Sequence, residues 1–356
     1  MSLNLEIADQ FQLDGKPLKG ECHGGGHINA TYLVETDHDH KYILQKVSEA
    51  FDISALMKNV EAVTRHVAAK TDDPRGSMKL VLTKDGKNCY TDESGTYRVF
   101  EFIEDSICLP LPETPEDFYQ SAVAFGTFQK ELADFPAETL SEPLPNFHNT
   151  IDRYRIFKET IAKDPEGRVK EVGPEIQFAM EREEEAGTLQ RMRENHELPL
   201  RVTHNDTKLN NVMLDRETRK ALCVIDLDTV MPGLSVYDFG DSIRFGAATA
   251  LEDEKDLSKM TIDLDLFRIY TKGFVESCDL TDAEIKALPL GAKIMTLECG
   301  VRFLTDYIDG DHYFRIHRPE HNLDRCRTQF KLVSEIEKHW DEMLAIVEEV
   351  AKEIEK

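Results

Sequence analysis

Alternating hydrophobic and polar positions dominate the first hundred residues of this 356-residue chain. A two-residue period is typical of half-buried β-strands, and Gly, Asp and Asn separate the runs as turn residues do. One stretch, 53–70, has a helical period instead. The pattern predicts a β-rich lobe holding one helix, with strands at Thr31–Val34, Tyr42–Val47, Lys79–Leu82 and Tyr97–Ile103.

After Ile103 the apolar positions recur at helical spacing. A strong helix is predicted around Phe118–Leu132, and the apolar positions of 330–356 indicate one long helix packed along the lobe. The sequence therefore predicts an α+β protein with two lobes. We expect a small β-rich N-terminal lobe over 1–103 and a larger, mostly helical C-terminal lobe over 104–356.

Charge narrows the range of partners. Lys and Arg total 43 and Asp and Glu total 68, which gives a formal net charge of −25. Such a surface repels phosphate backbones and anionic lipids, so we expect neither a nucleic-acid nor a membrane partner. A single bound nucleotide is still allowed, because Mg²⁺ and a few local cations set the field inside a cleft.

The chain lacks the marks of export. No apolar run approaches the ~20 residues of a membrane span, and the amino terminus has no basic region followed by an apolar core. Seven scattered cysteines include no Cys-x-x-Cys pair, which argues against a zinc site and a disulfide framework. We expect a cytoplasmic protein with free thiols.

The most specific chemical pattern lies between two short apolar runs. His204, Asp206 and Asn211 form a His-x-Asp-x-x-x-x-Asn run, in which the carboxylate can accept a hydroxyl proton and the amide oxygen can bind Mg²⁺. An apolar strand then ends at Asp226, a second metal ligand. The pattern predicts a phosphotransferase with Asp206 as base and Asp228 as a further or indirect ligand. The alternative is that Asp206 and Asp228 only cap turns.

Longer blocks of sequence carry a resemblance to a known family. They resemble the aminoglycoside phosphotransferase and choline kinase superfamily, small-molecule kinases related in fold to protein kinases. Within that superfamily they are most similar to the N-acetylhexosamine 1-kinases. The blocks extend over most of the chain, at 25–29, 204–211, 225–233, 238–246 and 298–304.

The resemblance implies a two-lobed protein-kinase-like fold, ATP and Mg²⁺ as cofactors, and a small-molecule acceptor. That acceptor would be the anomeric hydroxyl of N-acetylglucosamine or N-acetylgalactosamine, and the product a sugar 1-phosphate. Homoserine, a choline-like amino alcohol or an aminoglycoside stay open as acceptors, although Arg302 and Arg325 weigh against a cationic one. A kinase fold that only binds ligands would be expected to have lost Asp206, Asn211 or Asp226, and all three are present.

Nucleotide contacts are expected in the small lobe. A glycine-rich loop can bring backbone N–H groups close to phosphates, although alone it is equally a hairpin turn. In kinase-like folds a strand lysine pairs with a helix glutamate to fix the phosphates, and the backbone at the lobe junction meets adenine. The predicted cofactor-binding residues are Gly24, Gly25, Gly26, Asn29, Lys46, Glu61, Glu101, Phe102 and Ile103.

The strand lysine departs from the family pattern. Alignment with the family strand puts Gln45, not Lys46, at the usual position of the cation. Because strand side chains alternate between faces, this displacement would turn Lys46 away from the cleft unless a bulge re-aims it. Lys208 could then supply charge near the γ-phosphate, and we predict it as the second catalytic residue.

A neutral polyol acceptor needs hydrogen-bonding side chains in the larger lobe. The resemblance places this pocket in a polar and aromatic tract, with the substrate residues predicted as Arg302, Asp306, Tyr307, Tyr313 and Arg325. Two or three of them are expected to touch the sugar, and the others to form ion pairs on helix surfaces. Asp238 and Asp241 are alternatives, unless they anchor the catalytic loop.

Overall fold

An antiparallel sheet forms the N-terminal part of the protein, in a computed structural model that describes residues 5–24 and 29–354. Its strand order is β1-β2-β3-β6-β4, and β5 also pairs with β6. The elements of this part are α1 (Leu5–Ala8), β1 (Pro17–Cys22), β2 (Ala30–Thr36), β3 (Lys41–Val47), α2 (Ile53–Ala68), β4 (Leu80–Val81), β5 (Tyr90–Asp92) and β6 (Gly95–Glu101).

The two faces of this sheet have different partners. On one face Leu44 and Val99 pack with Phe11 in a small core. On the other face Val47 and Phe100 join the large core that continues into the helical part. Because side chains alternate along a strand, the position of each residue in β3 and β6 decides whether it faces the helical part.

Helix α2 joins the sheet to the rest of the molecule. Asp52 caps its first turn by accepting a hydrogen bond from the Ala55 N–H at 3.0 Å. The Asn59 amide donates to the carbonyls of Ser141 and Val230 at 2.8 and 3.0 Å. The predicted apolar stripe is buried in the large core, through Leu56, Val60, Val63 and Val67.

The remainder of the chain is mostly helical, with two small sheets ordered β10-β9-β7 and β11-β8. Its elements are β7 (Ser106–Cys108), α3 (Pro115–Glu131), α4 (Thr150–Lys163), α5 (Gly173–Met180), α6 (Glu183–Ala186), α7 (Thr188–Glu194), β8 (Arg201–Thr203), β9 (Val212–Asp215), β10 (Ala221–Val224), β11 (Met231–Gly233), α8 (Ser235–Gly246), α9 (Leu264–Ser277), α10 (Asp282–Asp309), α11 (His321–Lys338) and α12 (Trp340–Ile354).

The 28-residue helix α10 is the centre of the helical part. It packs against α4, α8, α11 and α12. Its contact with α8 is close, because a Cβ added at Gly240 would lie 2.3 Å from the carbonyl oxygen of Gly291. Larger side chains at these positions would push the two helices apart.

The observed elements confirm a β-rich N-terminal part followed by a helical C-terminal part. The prediction of one long helix over 330–356 is wrong, because α11 ends at Lys338 and α12 begins at Trp340. The break lets α11 follow α10 while α12 packs against both α9 and α10. A boundary after Ile103 stays a prediction. Among the described residues, no helix combines the length and apolar character needed to cross a bilayer.

Candidate active site

The loop after β8 is held in one shape by its own side chains. Asn205 has a left-handed backbone, with φ 66°. Its amide donates to the carbonyls of Thr203 and Thr229 at 3.2 and 2.8 Å, and its oxygen accepts from the Thr203 hydroxyl at 2.9 Å. These bonds stabilise the left-handed turn, which costs less for Asn than for most residues. We call residues 204–211 the catalytic loop.

Two buried aspartates on α8 hold the backbone of the catalytic loop. The Asp238 carboxylate accepts from the backbone N–H groups of His204 and Asn205 at 2.9 and 2.7 Å. Asp241 accepts from the Thr207 N–H at 3.0 Å and pairs with Arg244 at 2.8 Å. These contacts support an anchoring role for Asp238 and Asp241 rather than a role in binding the acceptor.

His204 connects the catalytic loop to the strand that precedes Asp226. Its Nε2 lies 2.9 Å from the Ile225 carbonyl oxygen, and its Nδ1 accepts from the Asp206 N–H at 3.3 Å. A neutral imidazole protonated at Nε2 satisfies both bonds. The ring packs edge-on against Phe125. His204 therefore sets the distance between the loop and the strand.

The side chain of Asp206, in the same loop, is 30% exposed. Its carboxylate is 2.9 Å from the Lys208 ammonium and accepts from the Asn211 amide at 3.2 Å. Burial alone would raise the pKa of the Asp206 carboxyl, but the charge and hydrogen bond of Lys208, together with the nearby His204 and Arg244, outweigh burial and the pKa is lowered. Asp206 is thus an ionised acceptor at neutral pH. The structure brings together the three predicted residues Asp206, Lys208 and Asn211.

Asp226 is a carboxylate without an internal partner. Its backbone is left-handed, with φ 59°, and its side chain makes no hydrogen bond or ion pair within the described ranges 5–24 and 29–354. Burial, followed by the nearby Asp228 and Asp206 carboxylates, raises its pKa to about 6. A bound cation would relieve this repulsion.

The donor set fits Mg²⁺ better than a transition metal. No three His, Cys, Asp or Glu side chains converge on one point in the part of the chain that the structure describes. Mg²⁺ does not need such a cage, because it keeps several waters and is bound through one or two carboxylates and substrate phosphates. The Asn211 amide nitrogen faces Asp206, which leaves its oxygen as an acceptor for a cation.

Asp228 is occupied by the N-terminal sheet. Its carboxylate lies 2.5 Å from Nη2 of Arg98 on β6 and accepts from the Asn29 amide at 2.6 Å. The Asn29 oxygen in turn accepts from the Ser48 N–H at 2.9 Å. The geometry supports Asp228 as a bridge between the two parts of the protein, rather than as a direct metal ligand.

The expected pairing of Lys46 with Glu61 is not supported by the structure. Lys46 is opposite Tyr97 in the β3–β6 register, so it shares the face that packs away from the catalytic loop. Glu61 pairs with Arg65 at 2.6 Å and accepts from the Asn88 amide at 2.9 Å. The pairing fails because β3 has no bulge that would re-aim Lys46.

The glycine-rich segment connects β1 to β2. Gly24 is exposed, with φ 73°, and a Cβ added there would meet no atom of the described residues within 4 Å. Gly25 and Gly26 lie outside the described residues. The preceding His23 lies near Phe102, with ring centroids 6.2 Å apart. The structure thus brings one end of this loop beside the junction between the sheet and the helical part.

The three predicted junction residues differ in what their backbones offer. Glu101 ends β6, and the Phe102 N–H donates to the Lys41 carbonyl at 3.1 Å. The Ile103 carbonyl accepts from the Ser106 hydroxyl at 2.6 Å. The Ile103 N–H has no acceptor among the residues that the structure describes. Ile103 is therefore the junction residue with a free donor for a ligand.

Of the five predicted substrate residues, Arg302 and Tyr313 lie together. The Arg302 guanidinium is 4.9, 5.8 and 5.5 Å from the ring centroids of Phe147, Tyr313 and Phe314. It makes no hydrogen bond or ion pair within the described ranges, so its donors are free. Tyr313 is 63% exposed.

The other three have structural partners. Asp306 accepts from the N–H groups of Tyr313 and Phe314, and Tyr307 is buried against Arg168. Arg325 donates to the Arg315 carbonyl and lies 3.7 Å from Glu252. Their assignment to the substrate is therefore not supported by the geometry.

His148 links the Arg302 cluster to the catalytic loop. Its ring nitrogens lie 3.1 Å from the Asn205 carbonyl oxygen and 2.9 Å from a Glu298 oxygen. Glu298 is one turn before Arg302 on α10, and Phe147 precedes His148 in the chain. The sequence analysis missed His148, because it lies in a loop without a motif, 57 residues from its loop partner.

Comparison with known proteins identifies the family and the fold of this chain. A sequence profile of the phosphotransferase enzyme family, APH, matches residues 20–258. A microcompartment-associated aminopropanol kinase has a similar structure, with a TM-score of 0.65 and 18% identity over 96% of this chain and 98% of that one.

Two further structures share the fold. An aminoglycoside phosphotransferase from Alicyclobacillus acidocaldarius has a TM-score of 0.64 and 13% identity, over 100% of this chain and 97% of that one. An amicoumacin kinase solved in complex with AMP-PNP, Ca²⁺ and Ami has a TM-score of 0.60 and 14% identity, over 94% of this chain and 92% of that one. The family profile covers well over half of the chain and includes the catalytic loop, Asp226 and Asp228, so this protein belongs to the phosphotransferase enzyme family.

Proposed function

We propose that this protein is an ATP- and Mg²⁺-dependent kinase that phosphorylates the anomeric hydroxyl of N-acetylglucosamine or N-acetylgalactosamine to the sugar 1-phosphate. One observation carries the kinase assignment. An ionised Asp206, paired with Lys208 and Asn211, lies within electrostatic reach of the unpartnered Asp226. A proton acceptor (Asp206), a cation (Lys208) and a candidate metal ligand (Asp226) thus lie close together, as in-line phosphoryl transfer requires.

Asp206 would orient the acceptor hydroxyl and take its proton. A lowered pKa makes this carboxylate a weak base. That is sufficient, because the transition state of phosphoryl transfer is loose and orientation contributes most of the catalysis. Lys208 would move from Asp206 toward the transferred phosphoryl group and stabilise the charge that develops there.

Asn211 and Asp226 would hold the metal. When bound there, Mg²⁺ would neutralise the negative charge that develops on the transferring phosphoryl group. Relatives have been solved with the nucleotide analogue AMP-PNP and a divalent cation, or with ADP, which supports the choice of donor. Adenine would meet the Ile103 N–H beside Phe102, and Asn29 and the glycine-rich loop would lie near the phosphates.

The acceptor would bind between Phe147, Arg302 and Tyr313. Aromatic faces beside free guanidinium donors suit a sugar ring with an amide substituent, since a carbonyl or hydroxyl oxygen can accept from Arg302. His148 and Glu298 tie this wall to the catalytic loop. The arrangement would place a bound sugar next to Asp206.

A cationic acceptor is the competing possibility, because the similar structures include an aminopropanol kinase. Two arginines disfavour it here. The guanidinium groups of Arg153 and Arg302 lie 6.0 and 4.9 Å from the centroid of the same Phe147 ring, so two positive charges flank the proposed acceptor wall. The Glu298 carboxylate is paired with His148 and Thr150, so it is not free to bind an ammonium group.

An acceptor screen tests this proposal directly. Purified protein would be incubated with MgATP and a panel of hexosamines, hexoses, choline, ethanolamine, aminopropanol, homoserine and aminoglycosides, while ADP release is followed. We expect turnover with the two N-acetylhexosamines and none with their methyl glycosides, whose anomeric oxygen is blocked. Phosphorus NMR should identify a sugar 1-phosphate. Preference for an amino alcohol, or turnover of the methyl glycosides, would refute the assignment.

Loss of Lys208 should be far more damaging than loss of Lys46. Lys208→Ala removes a charge beside Asp206, so kcat should fall by about 10²- to 10³-fold, the scale for deleting one group that stabilises transition-state charge. Lys46→Ala also removes one positive charge, but Lys46 lies on the face of β3 that is turned away from the catalytic loop. This variant should therefore keep kcat near the wild-type value. Steady-state kinetics with both variants decide the point. A larger loss in Lys46→Ala, with a raised KM for ATP, would place Lys46 in the cleft.

Arg302 should affect the acceptor selectively. Arg302→Met keeps the apolar stem but loses the donors, so the KM for the hexosamine should rise by about 10- to 100-fold, the range for a lost charged hydrogen bond. The KM for ATP should change little. Arg325→Met is the matched control, because Arg325 already has partners and its loss should lower thermal stability instead. An unchanged hexosamine KM in Arg302→Met would move the acceptor pocket elsewhere.

A further inference from the structure

Among the described residues, Arg98 has fewer hydrogen-bond partners than its guanidinium group can bind. It is 1% exposed, on the central strand β6. Its Nε and Nη2 donate to the Gln45 side-chain oxygen at 3.0 and 2.8 Å. Its Nη1 is buried and has no hydrogen-bond partner among residues 5–24 and 29–354. A buried, unsatisfied donor on a charged group is costly, so its presence calls for an explanation.

The ion pair with Asp228 is also incomplete. Nη2 of Arg98 lies 2.5 Å from Oδ1 of Asp228, yet that oxygen has no well-directed hydrogen bond. One side of the contact therefore has a spare donor and the other a spare acceptor. A phosphate oxygen would satisfy Nη1, because guanidinium groups match phosphate geometry well.

The position of Arg98 is suited to such a ligand. It is directly opposite Gln45 in the β3–β6 register, so both side chains share the face turned toward the helical part. Asp228 and Asn29 surround its far end. Arg98 contacts Asp228, which follows the proposed metal ligand Asp226 by two residues, so Arg98 is also close to the proposed metal site.

We propose that Arg98 is the small-lobe cation that binds the phosphates of the nucleotide, with Nη1 donating to a phosphate oxygen while Gln45 holds the guanidinium in place. This inference rests on the proposed kinase function. Arg98 on β6 would make the phosphate contact for which Lys46 on β3 was the candidate in the sequence. Gln45 would orient Arg98 through the two hydrogen bonds it already accepts.

Binding of ADP and adenosine without metal tests the proposal, since EDTA removes effects that act through Asp226 or Asp228 as ligands. Adenosine has the same base and ribose but no phosphate, so it reports on the fold of the cleft. Wild type should bind ADP more tightly than adenosine. Arg98→Gln should weaken ADP binding by about 10- to 100-fold, the range for a lost charged hydrogen bond, and leave adenosine binding unchanged.

Three further variants make the test specific. Lys46→Gln removes one charge from the opposite face of the same sheet and should preserve the preference for ADP. The double variant Arg98→Gln/Gln45→Lys places a cation on the neighbouring strand, on the same face, and should restore much of that preference. Arg98→Lys keeps the charge without the planar fork and should lose less than Arg98→Gln, which also covers the case in which Arg98→Gln does not fold.

The outcomes separate this inference from the function on which it rests. If Arg98→Gln or Arg98→Lys weakens ADP and adenosine by the same factor, Arg98 is only a structural clamp on Asp228 and the inference is overturned. An unchanged ADP preference in Arg98→Gln overturns it as well. If wild type binds neither ligand in EDTA and does not bind MgADP either, the proposed kinase function itself fails.

Discussion

Asp206→Asn is expected to lower kcat by about 10²- to 10⁴-fold, the usual scale for removing a general base. The carboxylate lies 2.9 Å from the Lys208 ammonium and accepts from the Asn211 amide at 3.2 Å, and its lowered pKa keeps it ionised at neutral pH. An amide of the same shape cannot take a proton from the acceptor hydroxyl. It keeps one oxygen for Lys208, and it leaves Asp226 in place.

The same variant should bind nucleotide almost normally. Its ADP affinity and thermal unfolding temperature should stay near the wild-type values, because Asp238 and Asp241, not Asp206, anchor the backbone of the catalytic loop. Steady-state kinetics and ADP titration measure both quantities. A kcat within about tenfold of wild type would assign the base to another group.

Local spacing explains why the catalytic loop could be predicted from the sequence. His204, Asp206 and Asn211 lie within eight residues, and Asp226 follows one hairpin later. The β9–β10 hairpin brings these residues together, and Asp238 and Asp241 on α8 then hold the backbone of the loop. Asp228 is different, because its partners Arg98 and Asn29 come from the N-terminal part. Its apparent role as a metal ligand could be revised only from the structure.

Register between strands explains why the small-lobe cation could not be predicted. The sequence shows that Gln45 and Lys46 point to opposite faces, but not which residue of another strand reaches the same space. The antiparallel pairing of β3 with β6 puts Arg98 beside Gln45. A charged residue between Tyr97 and Val99, in an otherwise buried strand, was the only local sign of this role.

The acceptor wall depends on contacts that are still more distant along the chain. His148 contacts Glu298, which is 150 residues away, and Asn205, which is 57 residues away. The tract that begins at Arg302 contains two residues of the proposed acceptor wall, Arg302 and Tyr313, but it also contains residues with structural roles. Asp306 caps the turn that positions Tyr313, so both kinds of residue look equally polar in the sequence.

Asp226→Asn should have opposite effects on activity and on stability. Kinase activity should collapse, and the Mg²⁺ needed for half-maximal activity should rise by at least about 10-fold, since even partners outside the first coordination sphere contribute 10- to 100-fold to metal affinity. The metal-free protein should nevertheless become more stable. Its Asp226 carboxylate has no hydrogen-bond or ion-pair partner in the part of the chain that the structure describes and is repelled by Asp228 and Asp206, and the neutral amide removes that repulsion.

Asp238→Asn is the matched control for this last prediction. It makes the same chemical change a short distance away, but the Asp238 carboxylate accepts hydrogen bonds from His204, Asn205 and Gln129. Its amide counterpart would place a donor against donors, so the protein should become less stable. Thermal unfolding in EDTA, and again with MgADP, measures both variants. If Asp226→Asn lowers the unfolding temperature in EDTA, or gains as much from MgADP as wild type, Asp226 has a structural role and the metal is bound elsewhere.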